Sequence, residues 1–152
     1  MSVVRVTKEF TFEMAHALLG YDGLCKHIHG HSYGLSVTVT GSPIEEINNP
    51  KLGMIIDFGD LKKIVKENIV DKFDHALVLN SRSPWKNLEE SDEMFNKVLF
   101  VDYQPTSENL VADFAEIISG KLPSTVKLHS LLLRETATSY AEWFTDDNPV
   151  IF

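Results

Sequence analysis

Between residues 25 and 33 the chain reads Cys-Lys-His-Ile-His-Gly-His-Ser-Tyr, which places one thiol and three imidazoles within seven consecutive positions. The chain holds one Cys and six His, so half of its imidazoles and its whole thiol supply stand here. His29 and His31 are two apart, and in a strand such residues project to one side. His16 ends an earlier strand on that strand's apolar face. If the two strands pair antiparallel, the end of one lies beside the start of the other and His16 meets His29 and His31. Three neutral imidazoles at one point suit zinc, and a three-ligand set leaves a fourth position for water or substrate, the arrangement of a catalytic zinc. Copper or nickel would also accept them, with zinc the usual occupant. The plain alternative is three strand-end histidines satisfied by backbone and water, which the His-x-His pair and the register of His16 argue against.

Cys25 admits two roles. As a fourth zinc ligand it would close the site and make it structural; held off the metal, its thiolate would be a base or nucleophile in a cationic field. Spacing alone leaves both open. His27 has the opposite parity to His29 and reads as a loop histidine near solvent, and Lys26 reads as a solvated loop lysine. Asp74-His75 is a second constellation: a carboxylate beside an imidazole sets its tautomer and raises its basicity. Adjacent side chains point apart in regular structure, so the pair needs a turn or a partner residue. Glu135 follows Leu131-Leu132-Leu133, and a carboxylate in such apolar surroundings wants a partner. An ion pair with Arg134 or another cation is one account; a ligand with two adjacent N–H donors, accepted in bidentate fashion, is the other.

The elements that must position these groups follow from periodicity. From Val4 to His16 the even positions are mostly apolar and the odd ones mostly polar, a period-two strand with one buried face. His29 to Thr40 repeats the pattern on odd positions, and Gly20, Asp22 and Gly23 mark residues 17–28 as the connecting loop. Asp60 is the expected cap of a helix with Leu61, Ile64, Val65 and Ile69 on one face. Residues 80–97, and more loosely 80–100, read as a polar excursion, partly helical, before a short strand at 98–101. Pro105-Thr106-Ser107-Glu108 starts a second helix carrying Leu110, Val111, Phe114, Ile117 and Ile118. Two strands, 126–135 and 137–144, close the chain. The expectation is a single α+β domain over residues 1–152, with an antiparallel sheet covered by two helices on one face and its other face left for oligomerisation.

Composition bounds the function. A chain of 152 residues, 43% hydrophobic and 24% charged, is the size of one globular domain. Its formal net charge of −8 argues against a nucleic-acid or anionic-membrane binder, which needs a basic face. A lone cysteine forms no internal disulfide and fits a reducing compartment. The first residues contain no apolar run of signal-peptide length, so the protein reads as cytoplasmic.

Phe10-Thr11-Phe12-Glu13-Met14-Ala15-His16, Cys25 to Tyr33, Ile56-Asp57-Phe58, Phe73-Asp74-His75, Pro105 to Leu110 and Arg134-Glu135-Thr136 together resemble the 6-pyruvoyl-tetrahydropterin and 6-carboxy-tetrahydropterin synthase family. The match runs in order through most of the chain, residues 80–100 excepted. The resemblance implies a T-fold (tunnelling-fold) subunit, with trimers closing a β-barrel and two trimers stacking into a homohexamer. It implies zinc on His16, His29 and His31, Cys25 as the proton-transfer thiol, and Asp74 with His75 as a second acid/base unit facing Cys25 across a subunit interface. It further implies that Glu135 anchors a pterin ring in a pocket that Thr106 and Ser107 help to line. The three-residue gap between Cys25 and His29 resembles the bacterial 6-carboxy branch, which serves queuosine and deazapurine biosynthesis. That branch converts 7,8-dihydroneopterin triphosphate to 6-carboxy-5,6,7,8-tetrahydropterin, releasing acetaldehyde and triphosphate. The alternatives are a 6-pyruvoyl-tetrahydropterin synthase activity and, from another class, a non-catalytic zinc-binding T-fold scaffold.

Overall fold

The structure is a computed structural model that describes residues 2–85 and 87–149. The alternating pattern of the first segment forms β1 (Val4–His16), in which Phe12, Met14 and His16 are buried while Thr11 and Glu13 are exposed. It pairs antiparallel with β2 (His29–Gly41), and the register sets His16 opposite His29 and Met14 opposite His31. Period-two burial fixes this register, because a slip of one residue would turn every core side chain outward.

The first helical segment begins one turn earlier than expected. Asp57, not Asp60, is the N-cap of α1 (Phe58–Val65): its Oδ1 accepts the Gly59 N–H at 2.7 Å. Asp60 stands inside the first turn, where a negative charge suits the helix dipole. The helix continues through a π-helical turn, Lys66–Val70, into the short α2 (Asp71–Phe73). Leu61, Val65, Ile69 and Phe73 are all fully buried at a spacing of four. Such a stripe drifts around a helix of 3.6 residues per turn, and a wider π turn brings it back onto the sheet.

After α2 the chain runs beside β1 again as β3 (Ala76–Asn80), whose residues 76–78 pair in parallel with Met14–His16. The following β4 (Val98–Val101) pairs in parallel with β3. The sheet is therefore mixed, a correction to the expected antiparallel one, with order β4-β3-β1-β2-β5-β6. The reason is topological: β2 carries the chain back toward the start of β1, so β3, reached through the helices, runs in the same sense as β1, and the excursion after β3 brings the chain back so that β4 runs parallel to β3. Between β3 and β4 the polar excursion contains two short 3-10 turns, Leu88–Glu90 and Glu93–Phe95.

The second long helix, α3 (Ser107–Ser119), is capped by Thr106, whose hydroxyl accepts the Asn109 N–H at 3.3 Å. It buries Leu110, Val111, Phe114 and Ile118 in the same core as α1. β5 (Lys127–Thr136) and β6 (Ser139–Phe144) complete the sheet, with a register irregularity between Arg134 and Thr136 that makes Glu135 the extra residue of a bulge. Phe114 packs edge-on against Phe12 and Phe73, and Phe12 stacks on Tyr33 with centroids 5.3 Å apart. This aromatic column supports the sheet end that carries the histidines. No described helix is long and apolar enough to cross a membrane.

Candidate active site

At the paired ends of β1 and β2 the three histidines converge as expected. One ligand atom from each of His16, His29 and His31 lies within 4.8 Å of the others. His16 is 2% exposed, its Nδ1 donates to the Pro105 carbonyl at 2.7 Å, and the Nδ1 of His29 donates to the His27 carbonyl at 2.7 Å. A carbonyl only accepts, so both neutral rings carry their proton on Nδ1 and present a bare lone pair on Nε2. Those two Nε2 atoms are 3.0 Å apart. Two lone pairs at that distance repel unless a cation stands between them. Protonation is disfavoured at His16, whose pKa is lowered first by burial, with the Pro105 carbonyl opposing and the neighbouring imidazoles adding to the depression. The Nε2 of His31 is buried with no hydrogen-bond partner among the described residues. Backbone carbonyls that fix the tautomer, bare nitrogens that converge and a third nitrogen left orphaned are what a divalent cation requires.

Glu135 reaches the same place from the bulge in β5. Its Oε2 accepts the Ser107 hydroxyl at 2.5 Å, and its Oε1 lies 3.5 Å from His31 Nε2. The Arg134 partner is not realised. Arg134 donates to the Ala137 carbonyl and lies over the Tyr140 ring, because adjacent residues point to opposite faces. Tyr33 packs its ring against His16 and His31, and burial, reinforced by Glu135, pushes its phenol well above its usual range.

Asp74 and His75 do meet, and the turn they need is present. His75 has φ 59, the one non-glycine among the described residues in the left-handed region. That conformation is sparsely populated for such a residue and persists only where neighbours hold it. The Glu13 peptide holds it from both sides: its N–H donates to Asp74 Oδ1 at 2.9 Å, and its carbonyl accepts the His75 N–H at 2.5 Å. Asp74 Oδ2 then reaches His75 Nδ1 at 3.0 Å. The Glu13 N–H, followed by His75 and Lys97, holds the Asp74 carboxyl below its ordinary range. The imidazole remains 77% exposed, at a cavity of about 420 Å³ shared with Glu13, His31, Ser32, Met94 and Lys97.

Cys25 sits in a 3-10 turn, Leu24–Lys26, half-buried, with its carbonyl accepting the Leu18 N–H at 2.9 Å. Its sulfur is not among the converging ligand atoms. Lys26 and His27 are exposed, as expected of loop residues. Three participants carry no signal in the sequence: the Pro105 carbonyl, the His27 carbonyl and the Glu13 peptide. Main-chain groups have no residue-type signature, so nothing in the letters marks them.

A half-open α+β sheet backed by two helices, with a three-histidine centre at one strand end, defines a T-fold protein with a candidate metal site. Comparison with known proteins names the family: residues 5–146 match the model for 6-pyruvoyl tetrahydropterin synthase, and the chain belongs to that family. Among curated relatives, the 6-carboxy-5,6,7,8-tetrahydropterin synthase of Haemophilus influenzae is 34% identical over 143 residues, 91% of this chain and 97% of that one. The protein of that name from Synechocystis is 31% identical over 141 residues, 92% of each chain. Among solved structures, the 6-pyruvoyl tetrahydropterin synthase of Caenorhabditis elegans superposes with a TM-score of 0.67 at 24% identity, over 95% of this chain and 96% of that one.

Proposed function

We propose that the protein is a zinc-dependent lyase that converts 7,8-dihydroneopterin triphosphate to 6-carboxy-5,6,7,8-tetrahydropterin, acetaldehyde and triphosphate, in queuosine or deazapurine biosynthesis. The observation that carries the reading is the convergence of three imidazoles, two of them fixed in tautomer by backbone carbonyls, beside the Glu135 carboxylate. The names of the curated relatives support the 6-carboxy product. His16, His29 and His31 hold the zinc, which when bound supplies Lewis-acid polarisation of the substrate's side-chain hydroxyls. Glu135 accepts the paired N–H donors of the pterin ring, oriented by Ser107 and with Thr106 at the pocket rim. Cys25 and His75 take and return the protons that migrate along the side chain, Asp74 fixing the tautomer of His75 through Nδ1. An oxygen count of substrate and products requires one water.

His75 and Cys25 work together across a subunit boundary in this reading, within a homohexamer of two barrel-closing trimers in the cytoplasm. Two features favour assembly. Leu24 and Ile28, flanking Cys25, are 84% and 59% exposed, and β4 and β6 are open sheet edges that a barrel would close. The test is to incubate the zinc-loaded protein with 7,8-dihydroneopterin triphosphate and identify products by mass spectrometry, with Cys25→Ala alongside. The 6-carboxy product with acetaldehyde, absent in the variant, is the expected result. A pyruvoyl product would move the chain to the other branch of the family, and untouched substrate in the presence of full zinc would leave a scaffold.

A further inference from the structure

The loop that carries Cys25 is held by a side chain from the far side of the sequence. The Gln104 amide pairs with both main-chain groups of one residue in the manner of a neighbouring strand: its Oε1 accepts the Leu19 N–H at 3.1 Å, and its Nε2 donates to the Leu19 carbonyl at 2.8 Å. The adjoining Leu18 N–H donates to the Cys25 carbonyl at 2.9 Å. Gln104 is itself held. Its Oε1 takes a further bond from Asn80 Nδ2 at 3.3 Å, and its carbonyl accepts from Asn109 Nδ2 at 3.0 Å and from the Thr106 N–H at 2.8 Å. The next residue, Pro105, supplies the carbonyl that orients His16. Two consecutive residues therefore fix both the histidine centre and the thiol loop against the N-terminus of α3.

We propose that Gln104 is a positioning residue that sets the height of Cys25 over the histidine centre, so that the thiol reaches the substrate without binding the metal. This rests on the catalytic reading of Cys25 above. The other backbone bonds of the loop from Ala17 to Ile28 are made within the loop itself, from the N–H groups of Tyr21, Lys26 and His27 to the carbonyls of Leu18, Gly23 and Leu24; its tip exposes Leu19, Tyr21, Leu24 and Ile28, and Gly20 takes the left-handed conformation. A bidentate amide-to-backbone pair fixes both distance and direction, which a single bond would not. A displacement of about 1 Å at a proton-transferring group lowers turnover on the order of 100-fold while leaving remote binding contacts in place.

Two variants test it. Gln104→Met keeps length and packing and removes both bonds to Leu19; Gln104→Glu keeps an acceptor for the Leu19 N–H and loses the donor to its carbonyl. The expected order of kcat is wild type, then Gln104→Glu, then Gln104→Met, the last down about 10- to 100-fold, with KM within about threefold and zinc still bound at wild-type stoichiometry. In zinc-loaded protein without substrate, amide exchange of Leu18 and Leu19 speeds up about tenfold in Gln104→Met. Iodoacetamide labelling also rises, and with one cysteine in the chain it reports Cys25 alone. Unchanged exchange and unchanged labelling in Gln104→Met overturn the clamp whether or not the wild type turns over a pterin. Faster exchange with undiminished kcat overturns its catalytic consequence. If the wild type is inactive on the pterin triphosphate, the catalytic reading fails while exchange and labelling still decide whether Gln104 holds the loop.

Discussion

Glu135→Gln separates ring anchoring from chemistry. The substitution keeps shape and length, and the amide oxygen can still accept the Ser107 hydroxyl that now meets Oε2. What changes is the remaining oxygen. In the wild type, Oε1 stands 3.5 Å from His31 Nε2 as a free acceptor, and the carboxylate offers its unshared lone pairs to two ligand N–H groups at once. An amide offers one acceptor and puts an NH₂ where the second N–H must approach. A hydrogen bond to a charged group contributes about 1.5–3 kcal/mol, a neutral one about 1. Exchanging two of the first kind for one of the second gives a gross loss of about 2–5 kcal/mol. With the Glu135 side chain 26% exposed, competition by water places the net loss near the low end, about 2–3 kcal/mol. At about 1.4 kcal/mol per factor of ten this weakens pterin binding about 30- to 150-fold. The interaction is made equally in ground and transition states, so KM rises and kcat stays within about threefold. Steady-state kinetics with zinc content matched, together with titration calorimetry using a non-reacting pterin, measure both. A KM within about threefold of wild type, or a fall in kcat at constant KM, would refute ring anchoring and give Glu135 a part in proton movement instead.

Other consequences are direct. Because the folded-state pKa of His16 lies below its ordinary 6.5, the metal-free fold binds fewer protons there than the unfolded chain does. Its stability therefore falls as pH drops through 6.5 and continues to fall until His16 protonates in the folded state; zinc affinity should fall in the same direction, read by metal competition from about pH 7.5 to about pH 5. Asp74→Asn leaves the Glu13 contact an acceptor oxygen but removes the charge facing His75 Nδ1, so kcat should drop about 10²- to 10⁴-fold with zinc retained, and equal activity would remove His75 from proton transfer. Phe114→Ala empties a fully buried site between Phe12 and Phe73; a loss of about 3–5 kcal/mol, seen as a thermal midpoint lower by on the order of 10 °C, is expected, and a loss below about 1.5 kcal/mol would mean that the column collapses onto the gap.

Much of the centre is legible in the sequence. Period-two alternation puts His16, His29 and His31 on the core face of two strands, and a turn-rich loop between them requires an antiparallel register that brings those ends together. The family resemblance, carried by motifs spread over most of the chain, leads to the T-fold. The direction of the third strand is not legible, because Ala76 to Asn80 is a short apolar run whose direction depends on how the preceding helix packs. Asp60 reads as the cap because it is the carboxylate nearest the apolar stripe; Asp57 takes the role because the helix starts at Phe58.

Local pattern determined which residues share a face, since strand and helix periods act over a few positions. Tertiary structure decided the chemistry of those residues. The Pro105 carbonyl that fixes the tautomer of His16 is 89 positions away, the Glu13 peptide that holds Asp74 is 61 away, and Ser107 meets Glu135 across 28. In each pair a backbone group or a common hydroxyl acts because folding has placed it there, and neither carries a periodic or compositional mark. Side-chain type is written in the sequence, but protonation state and orientation depend on partners that only the packed chain supplies.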